Sequence, residues 1–305
     1  MKKVFNSIIV TLTLAALFLT GCGAAPKNSN GTLRVLASTT FLADIAQNVA
    51  GERLHVDSLL PFGADPHAYQ AAPSDVAKIS ESSILILNGV EYEHFIEPLL
   101  DNAGGERIII TASDGLTPNQ MEDEENAGQT VGDPHMWLDP NLVITYVENI
   151  RDGLSKADPT GTEIYHANAD AYIAQLKDLD AWIVEQVNTI PTDKRLLVTN
   201  HEAMGYFAKR YGFKVVDTIL PSFSSEAGAS AKEIVATIEA IKSSGAPVVF
   251  LGEVENADLA NQIAAETGAK VVHDLYLESL TDGGPAATYI DMMKHNVTSI
   301  VEGLK

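Results

Sequence analysis

The residues best suited to chemistry are imidazoles and a carboxylate scattered along the chain. Eight histidines occur, at positions 55, 67, 94, 135, 166, 201, 273 and 295, against a single cysteine, Cys22. His67 lies in Gly63-Ala64-Asp65-Pro66-His67-Ala68-Tyr69, and His135 in Asp133-Pro134-His135-Met136-Trp137-Leu138-Asp139-Pro140. His201 lies in Val198-Thr199-Asn200-His201-Glu202, and Glu278 in Leu275-Tyr276-Leu277-Glu278-Ser279-Leu280. Three imidazoles and one carboxylate suit a borderline-soft divalent ion in a four-coordinate site. Each ring would bind neutral, its other nitrogen fixed by an acceptor, for which Asp65, Asp133 and Glu202 stand close in sequence. The separations are 135 − 67 = 68, 201 − 135 = 66 and 278 − 201 = 77 residues, so this is no zinc-finger spacing. His55 sits in a strand pattern, His94 at a helix start, and His166 and His295 on helices, so these read as ordinary surface or packed residues. His273 ends a strand and remains a rival ligand.

Residues so far apart meet only if the fold brings loops together. Short β-rich runs at 33–37, 54–60, 84–87 and 107–111 alternate with helical patterns at 41–50, 74–80 and 92–101. The scheme repeats with runs at 196–199, 214–219, 248–251 and 270–273 and helical patterns at 202–211, 229–243 and 257–267. Continuously apolar strands alternating with helices indicate parallel sheets covered on both faces. The sequence therefore predicts an α/β protein of two lobes, each a four-stranded parallel sheet flanked by helices. In such sheets ligands bind beyond the carboxyl ends of the strands, and clefts between lobes hold small ligands. His67, His201 and Glu278 follow strand runs, and His135 stands just before the second half. Between the halves, 163–188 contains no Pro or Gly. Its apolar residues Tyr172, Leu176, Leu179, Ile183, Val187 and Ile190 fall on one helical stripe. About 26 residues at 1.5 Å each make a rod of roughly 40 Å, long enough to join both lobes. A last amphipathic helix is expected at 289–304.

The first residues read as an address. Lys2 and Lys3 precede an apolar run at 8–19, too short to span a membrane and typical of a signal-peptide core. Leu19-Thr20-Gly21-Cys22 resembles the bacterial lipobox, in which the cysteine carries lipid after cleavage. The expected division is a lipoprotein signal peptide at 1–21 and a lipid-anchored flexible tether at 22–31. An N-terminal α/β lobe at 32–157, the linking helix at 158–191 and a C-terminal α/β lobe at 192–305 follow. Cleavage leaves 305 − 21 = 284 residues and, with Lys2 and Lys3 gone, a charge of −23 instead of −21. With 20 Lys and Arg against 41 Asp and Glu, the chain has no basic stripe for nucleic acid and no attraction to anionic lipid. Its field concentrates cations. The lone cysteine excludes an internal disulfide and a cysteine-rich zinc site.

The strings Pro66-His67-Ala68-Tyr69, Pro134-His135-Met136-Trp137-Leu138-Asp139-Pro140 and Thr199-Asn200-His201-Glu202-Ala203 resemble the solute-binding lipoproteins of bacterial zinc and manganese ABC importers. This is the metal-binding cluster A-I family. Met292-Met293-Lys294-His295-Asn296, with Glu302-Gly303-Leu304, looks like the family's C-terminal end, and the resemblance runs from about Leu33 onward. It implies two parallel-sheet lobes joined by one long rigid helix, with a metal site in the cleft between them. Carried over position by position, it implies His67, His135, His201 and Glu278 as the four metal ligands. It further implies a monomeric receptor outside the cytoplasmic membrane, held there only by the lipid on Cys22. Its partner is a permease driven by a cytoplasmic ATPase. The chain departs from the family in three ways. Glu278 stands where Asp is usual. The acidic run at 121–126 stands where many zinc-selective members carry a histidine-rich loop. The disulfide of some zinc-specific members cannot form.

Family members with a carboxylate at the position of His201 look manganese-oriented, and a third histidine leans the site toward zinc. The affinity order of divalent ions also puts Zn(II) above Mn(II). The expectation is therefore capture of Zn(II) as transported cargo, with Mn(II) second. An enzyme is not expected, because a fourth protein ligand leaves no open position for water and no HExxH, P-loop or nucleophile-elbow pattern occurs. Two other readings are a surface adhesin lipoprotein, which loss of host attachment without loss of metal uptake would reveal, and a binder of larger chelates. The latter needs an open aromatic or basic cleft.

Overall fold

The computed structural model describes residues 33–122 and 129–305. The signal peptide, Cys22, the tether and residues 123–126 of the acidic run lie outside the described residues. The first lobe runs β1 (Val35–Ala37), α1 (Thr40–Ala50), β2 (Val56–Ser58), α2 (Pro73–Glu81), β3 (Ile84–Leu87), α3 (Glu97–Ala103) and β4 (Ile108–Thr111). A small antiparallel hairpin, β5 (Gln120–Glu122) with β6 (Thr130–Gly132), and α4 (Pro140–Ala157) follow. Next comes the long helix α5 (Thr162–Val187). The second lobe runs β7 (Leu196–Thr199), α6 (Gly205–Tyr211), β8 (Lys214–Thr218), α7 (Ala231–Ser244), β9 (Val248–Gly252), α8 (Ala257–Thr267), β10 (Lys270–Leu275) and α9 (Tyr289–Leu304).

Each lobe holds a four-stranded parallel sheet, ordered β2-β1-β3-β4 in the first and β10-β9-β7-β8 in the second. Counted within each lobe, both orders are 2-1-3-4, so the halves share a topology without sharing residues. The strands are apolar throughout because both faces are covered. On β3, Ile84 and Ile86 join one buried cluster while Leu85 joins another on the opposite face. On β9, Val248 and Phe250 divide from Val249 and Leu251 in the same way.

The long helix has 26 residues, as the sequence leads one to expect. Its stripe of Tyr172, Leu176, Leu179, Ile183 and Val187, continued by Ile190, is at most 2% exposed. It packs on α1 and α4 of the first lobe and on α6 and α9 of the second. One continuous buried cluster therefore crosses from lobe to lobe.

Besides the β5–β6 hairpin, which the sequence reading lacks, three local features differ from it. Helix α4 was not anticipated, although Asp139 caps it, accepting from Asn141 N at 2.9 Å, and Pro140 occupies its first turn. Helix α3 begins at Glu97 rather than near Tyr92, because Val90 and Glu91 both take left-handed backbone with φ of 56°. Helix α6 begins at Gly205 rather than 202, because His201 and its followers form a turn closing on Ser222.

Candidate metal centre

The carboxyl ends of the two sheets face each other across a cleft of 880 Å³ whose walls include His67, Tyr92, Pro134 and Phe223. Four side chains from four loops converge at its floor. His67 follows β2, His135 follows the hairpin, His201 follows β7 and Glu278 follows β10. Their side chains are 9%, 0%, 0% and 1% exposed. The Nε2 atoms of His67, His135 and His201 stand 3.8, 3.3 and 3.4 Å from Glu278 Oε1. All four donor atoms lie within 4.8 Å of one another. None has a hydrogen-bond partner, although each is buried. Unsatisfied buried polar atoms are costly, and four pointing at one spot fit a cation. A tetrahedral site with metal–ligand distances of about 2.1 Å has edges of about 3.4 Å, close to the three separations from Glu278 Oε1.

The remaining polar atoms are occupied. His135 Nδ1–H donates to Asp133 Oδ1 at 2.8 Å, and His201 Nδ1–H to Glu255 Oε1 at 2.7 Å. A carboxylate only accepts, so both contacts put the ring proton on Nδ1 and turn the Nε2 lone pair inward. Tyr92 from the first lobe donates its hydroxyl to Glu278 Oε2 at 2.7 Å, leaving Oε1 free to bind through one oxygen. Asp65 accepts from the backbone N of His67 at 2.9 Å and from Ser225 Oγ across the cleft at 2.7 Å.

The string that carries His135 also braces the site. Its Trp137 stacks on Phe41, ring centroids 4.5 Å apart, and donates to the carbonyl of Leu277, beside Glu278, at 2.8 Å. Its Asp139 and Pro140 start α4. Behind it, the buried Glu93 takes Asn88 N at 2.5 Å, Gly89 N at 3.1 Å and Ser38 Oγ at 2.8 Å, pinning the turn that presents Tyr92. Burial pushes this carboxyl up to about 7, against the hydrogen bonds that favour its charge.

Without metal the cluster is a proton-holding one. Burial opposes charge on His201, but the Nδ1 hydrogen bond to Glu255 and the nearby Glu278 carboxylate outweigh it and push the ring up to about 10. His135 is raised in the same way, burial opposing and Asp133 and Glu278 prevailing. Burial would raise Glu278, yet the three histidines hold it well below the usual carboxylate range. Burial and the Glu278 charge keep Tyr92 protonated, as a donor must be.

All four residues singled out in the sequence thus come together, and His273 does not join them, being exposed beyond the cluster. His166 and His94 are also exposed, His94 at the cleft mouth, while the exposed His55 pairs with Asp57 and His295 bonds the Asp274 carbonyl. Of the expected acceptors, Asp133 serves a ring, Asp65 serves a backbone N–H, and Glu202 serves no ligand. Its own backbone N donates to Ser222 O at 2.8 Å. The sequence reading missed Tyr92 and Glu255, which sit on other loops and share no motif with Glu278 and His201, the side chains they serve.

Two parallel-sheet lobes, a bridging helix and a buried donor cluster in the cleft define a two-lobe solute-binding protein. The chain belongs to the family described as zinc-uptake complex component A, periplasmic, whose model matches residues 35–303. It is 34% identical to the manganese-binding lipoprotein MntA of Halalkalibacterium halodurans, over 100% of this chain and 99% of that one. It is 33% identical to the iron-binding protein YfeA of Yersinia pestis, over 98% of this chain and 93% of that one. The Mn-bound S38A mutant of the periplasmic metal-binding protein from candidatus Liberibacter asiaticus has the same fold. That match has a TM-score of 0.81 at 29% identity, covering 90% of this chain and 100% of that one. No helix among the described residues is long and apolar enough to cross a membrane.

Proposed function

We propose that this protein captures a first-row divalent metal outside the cytoplasmic membrane and hands it to an ABC permease driven by a cytoplasmic ATPase. The single observation that carries this is the meeting of four buried, unpartnered donor atoms, from His67, His135, His201 and Glu278. In this reading the metal is cargo, the chain works as a monomer, and the lipid on Cys22 anchors it after removal of residues 1–21. The tether at 22–31 lets the lobes at 32–157 and 192–305 reach the permease.

Within that class the donor set favours Zn(II). Three imidazoles outnumber the carboxylate, and Tyr92 occupies the second oxygen of Glu278. The result is a four-coordinate, nitrogen-rich site, whereas Mn(II) suits more oxygens and a higher coordination number. A second reading, Mn(II) as cargo, is supported by the relatives called manganese-binding, one of them aligned end to end with this chain. Equilibrating chelator-stripped protein with buffered zinc and manganese together, then counting bound metal by elemental analysis, separates the two. One equivalent of zinc supports the first reading. One equivalent of manganese keeps the receptor and replaces its cargo, and no stoichiometric metal refutes both.

A further inference from the structure

The loop that carries Glu278 has an unusual source of order. Between β10 and Leu280 its backbone N–H groups all go to side chains from elsewhere. Tyr276 N donates to Asn296 Oδ1 at 2.7 Å and Leu280 N to Thr40 Oγ1 at 2.8 Å. The three between them converge on one residue, Glu253, in the turn after β9. Leu277 N reaches Glu253 Oε2 at 2.8 Å, while Glu278 N and Ser279 N reach Oε1 at 3.2 and 2.7 Å. No lysine or arginine pairs with Glu253 among the described residues. Its carboxyl is held by main-chain N–H groups alone, three donors on two acceptor oxygens. Two residues on, Glu255 fixes the ring of His201 and also accepts from Gly252 N at 2.5 Å.

We propose that Glu253 is a positioning residue for the fourth donor: by gathering three consecutive main-chain N–H groups it holds Glu278 Oε1 within reach of the three histidine Nε2 atoms. The turn from Gly252 to Glu255 then positions both donors of the second lobe, Glu278 through its backbone and His201 through its ring. Glu253 touches no metal itself. The inference rests on the metal site read above.

Glu253→Gln tests it at nearly constant volume. The amide offers one acceptor oxygen in place of two, so its NH₂ faces at least one of the three N–H donors. Zn(II) affinity is measured by chelator competition on the full chain for wild type, E253Q, E278A and the double variant. Partners behind a ligand are typically worth about 10–100-fold in affinity, and E253Q is expected to lose that much in the wild-type background. In the E278A background, where three imidazoles still bind zinc, E253Q is expected to change affinity less than about 3-fold, since nothing remains to be positioned. Co(II) absorption supplies a second readout: the intense tetrahedral bands of wild type should weaken in E253Q. Wild-type affinity in E253Q, or equal losses in both backgrounds, overturns the proposal. A wild-type chain that binds neither zinc nor cobalt refutes the metal site itself. Should E253Q melt below the assay temperature, E253D, which keeps the charge but shortens its reach, enters the same cycle with the same criteria.

Discussion

Protons and metal compete for the same nitrogen lone pairs, and the structure sets the scale of that competition. In the metal-free protein His201 titrates at about 10, because Glu255 and Glu278 outweigh the burial that opposes its charge. At pH 7 the ring is therefore protonated, and Nε2 binds metal only after losing its proton. The cost is about three pH units, or roughly 4 kcal/mol at 1.36 kcal/mol per unit. Apparent affinity should accordingly rise about 10-fold per pH unit from 7 to 9, with one proton released for each metal bound. The slope should steepen toward lower pH, where the raised His135 also carries a proton. Chelator competition at pH 6.5, 7.5 and 8.5 gives the slope. Calorimetry in buffers of different ionisation enthalpy counts the protons. Affinity that is flat between pH 7.5 and 8.5, with no proton released, would refute the pairing of protonated His201 with Glu278.

Four further expectations follow from the same geometry. Tyr92→Phe frees Glu278 Oε2 for bidentate binding, so the preference for zinc over manganese should narrow by about 10-fold or more in competition titrations; an unchanged ratio would show that Tyr92 does not set coordination number. His135→Ala should cost more than about 100-fold in zinc affinity, since even residues behind a ligand are worth about 10–100-fold. His166→Ala, on an exposed helix face, should cost nothing, and equal losses would sink the ligand assignment. Leu176→Ala, in the stripe shared by both lobes, should lower unfolding free energy by about 2–5 kcal/mol in denaturant titrations, and a loss below about 1 kcal/mol would show that α5 does not staple the core. The metal-free protein should melt higher at pH 5.5 than at pH 8. Burial raises Asp44 to about 6 and Glu93 and Glu253 to about 7, so the folded chain holds protons there that the unfolded chain has released. That contribution is full below the ordinary carboxyl range and lost as pH rises through these values. A melting temperature that climbs toward pH 8 would contradict it.

What the sequence disclosed and what it withheld divide along a physical line. Apolar runs such as Ile84-Leu85-Ile86-Leu87 mark strands covered on both faces, and each of its faces meets a different buried cluster. The stripe from Tyr172 to Ile190 marks a helix because its 3.6-residue period is a property of the chain itself. That His67, His201 and Glu278 lie near one another was legible for a related reason, whereas His135 and the complete set of four rested on the resemblance to the importer lipoproteins. Parallel sheets send all their strand ends to one side, so chemistry at loops after strands ends up in one place. Helix α4 was readable too, from the Asp139-Pro140 cap and the spacing of Val143, Tyr146, Val147, Ile150 and Leu154, all buried.

The contacts that tune the site were not readable in this way. Glu255 acts on His201 from 54 residues away, and Tyr92 acts on Glu278 from 186. No periodicity links such pairs. The first depends on β7 lying beside β9 within the second lobe, and the second on how the two lobes are set against each other across the shared buried stripe of α5. Sequence proximity pointed to Glu202 for His201, yet the strand-to-turn geometry sends Glu202 away and leaves the ring to Glu255. The donor types were therefore legible one loop at a time, whereas tautomer, coordination mode and proton load belong to the assembled cleft. Two of the four donors come from each lobe, so the cluster exists only because the lobes are closed on each other, and His201 and Glu278 stand or fall together as partners of His67 and His135.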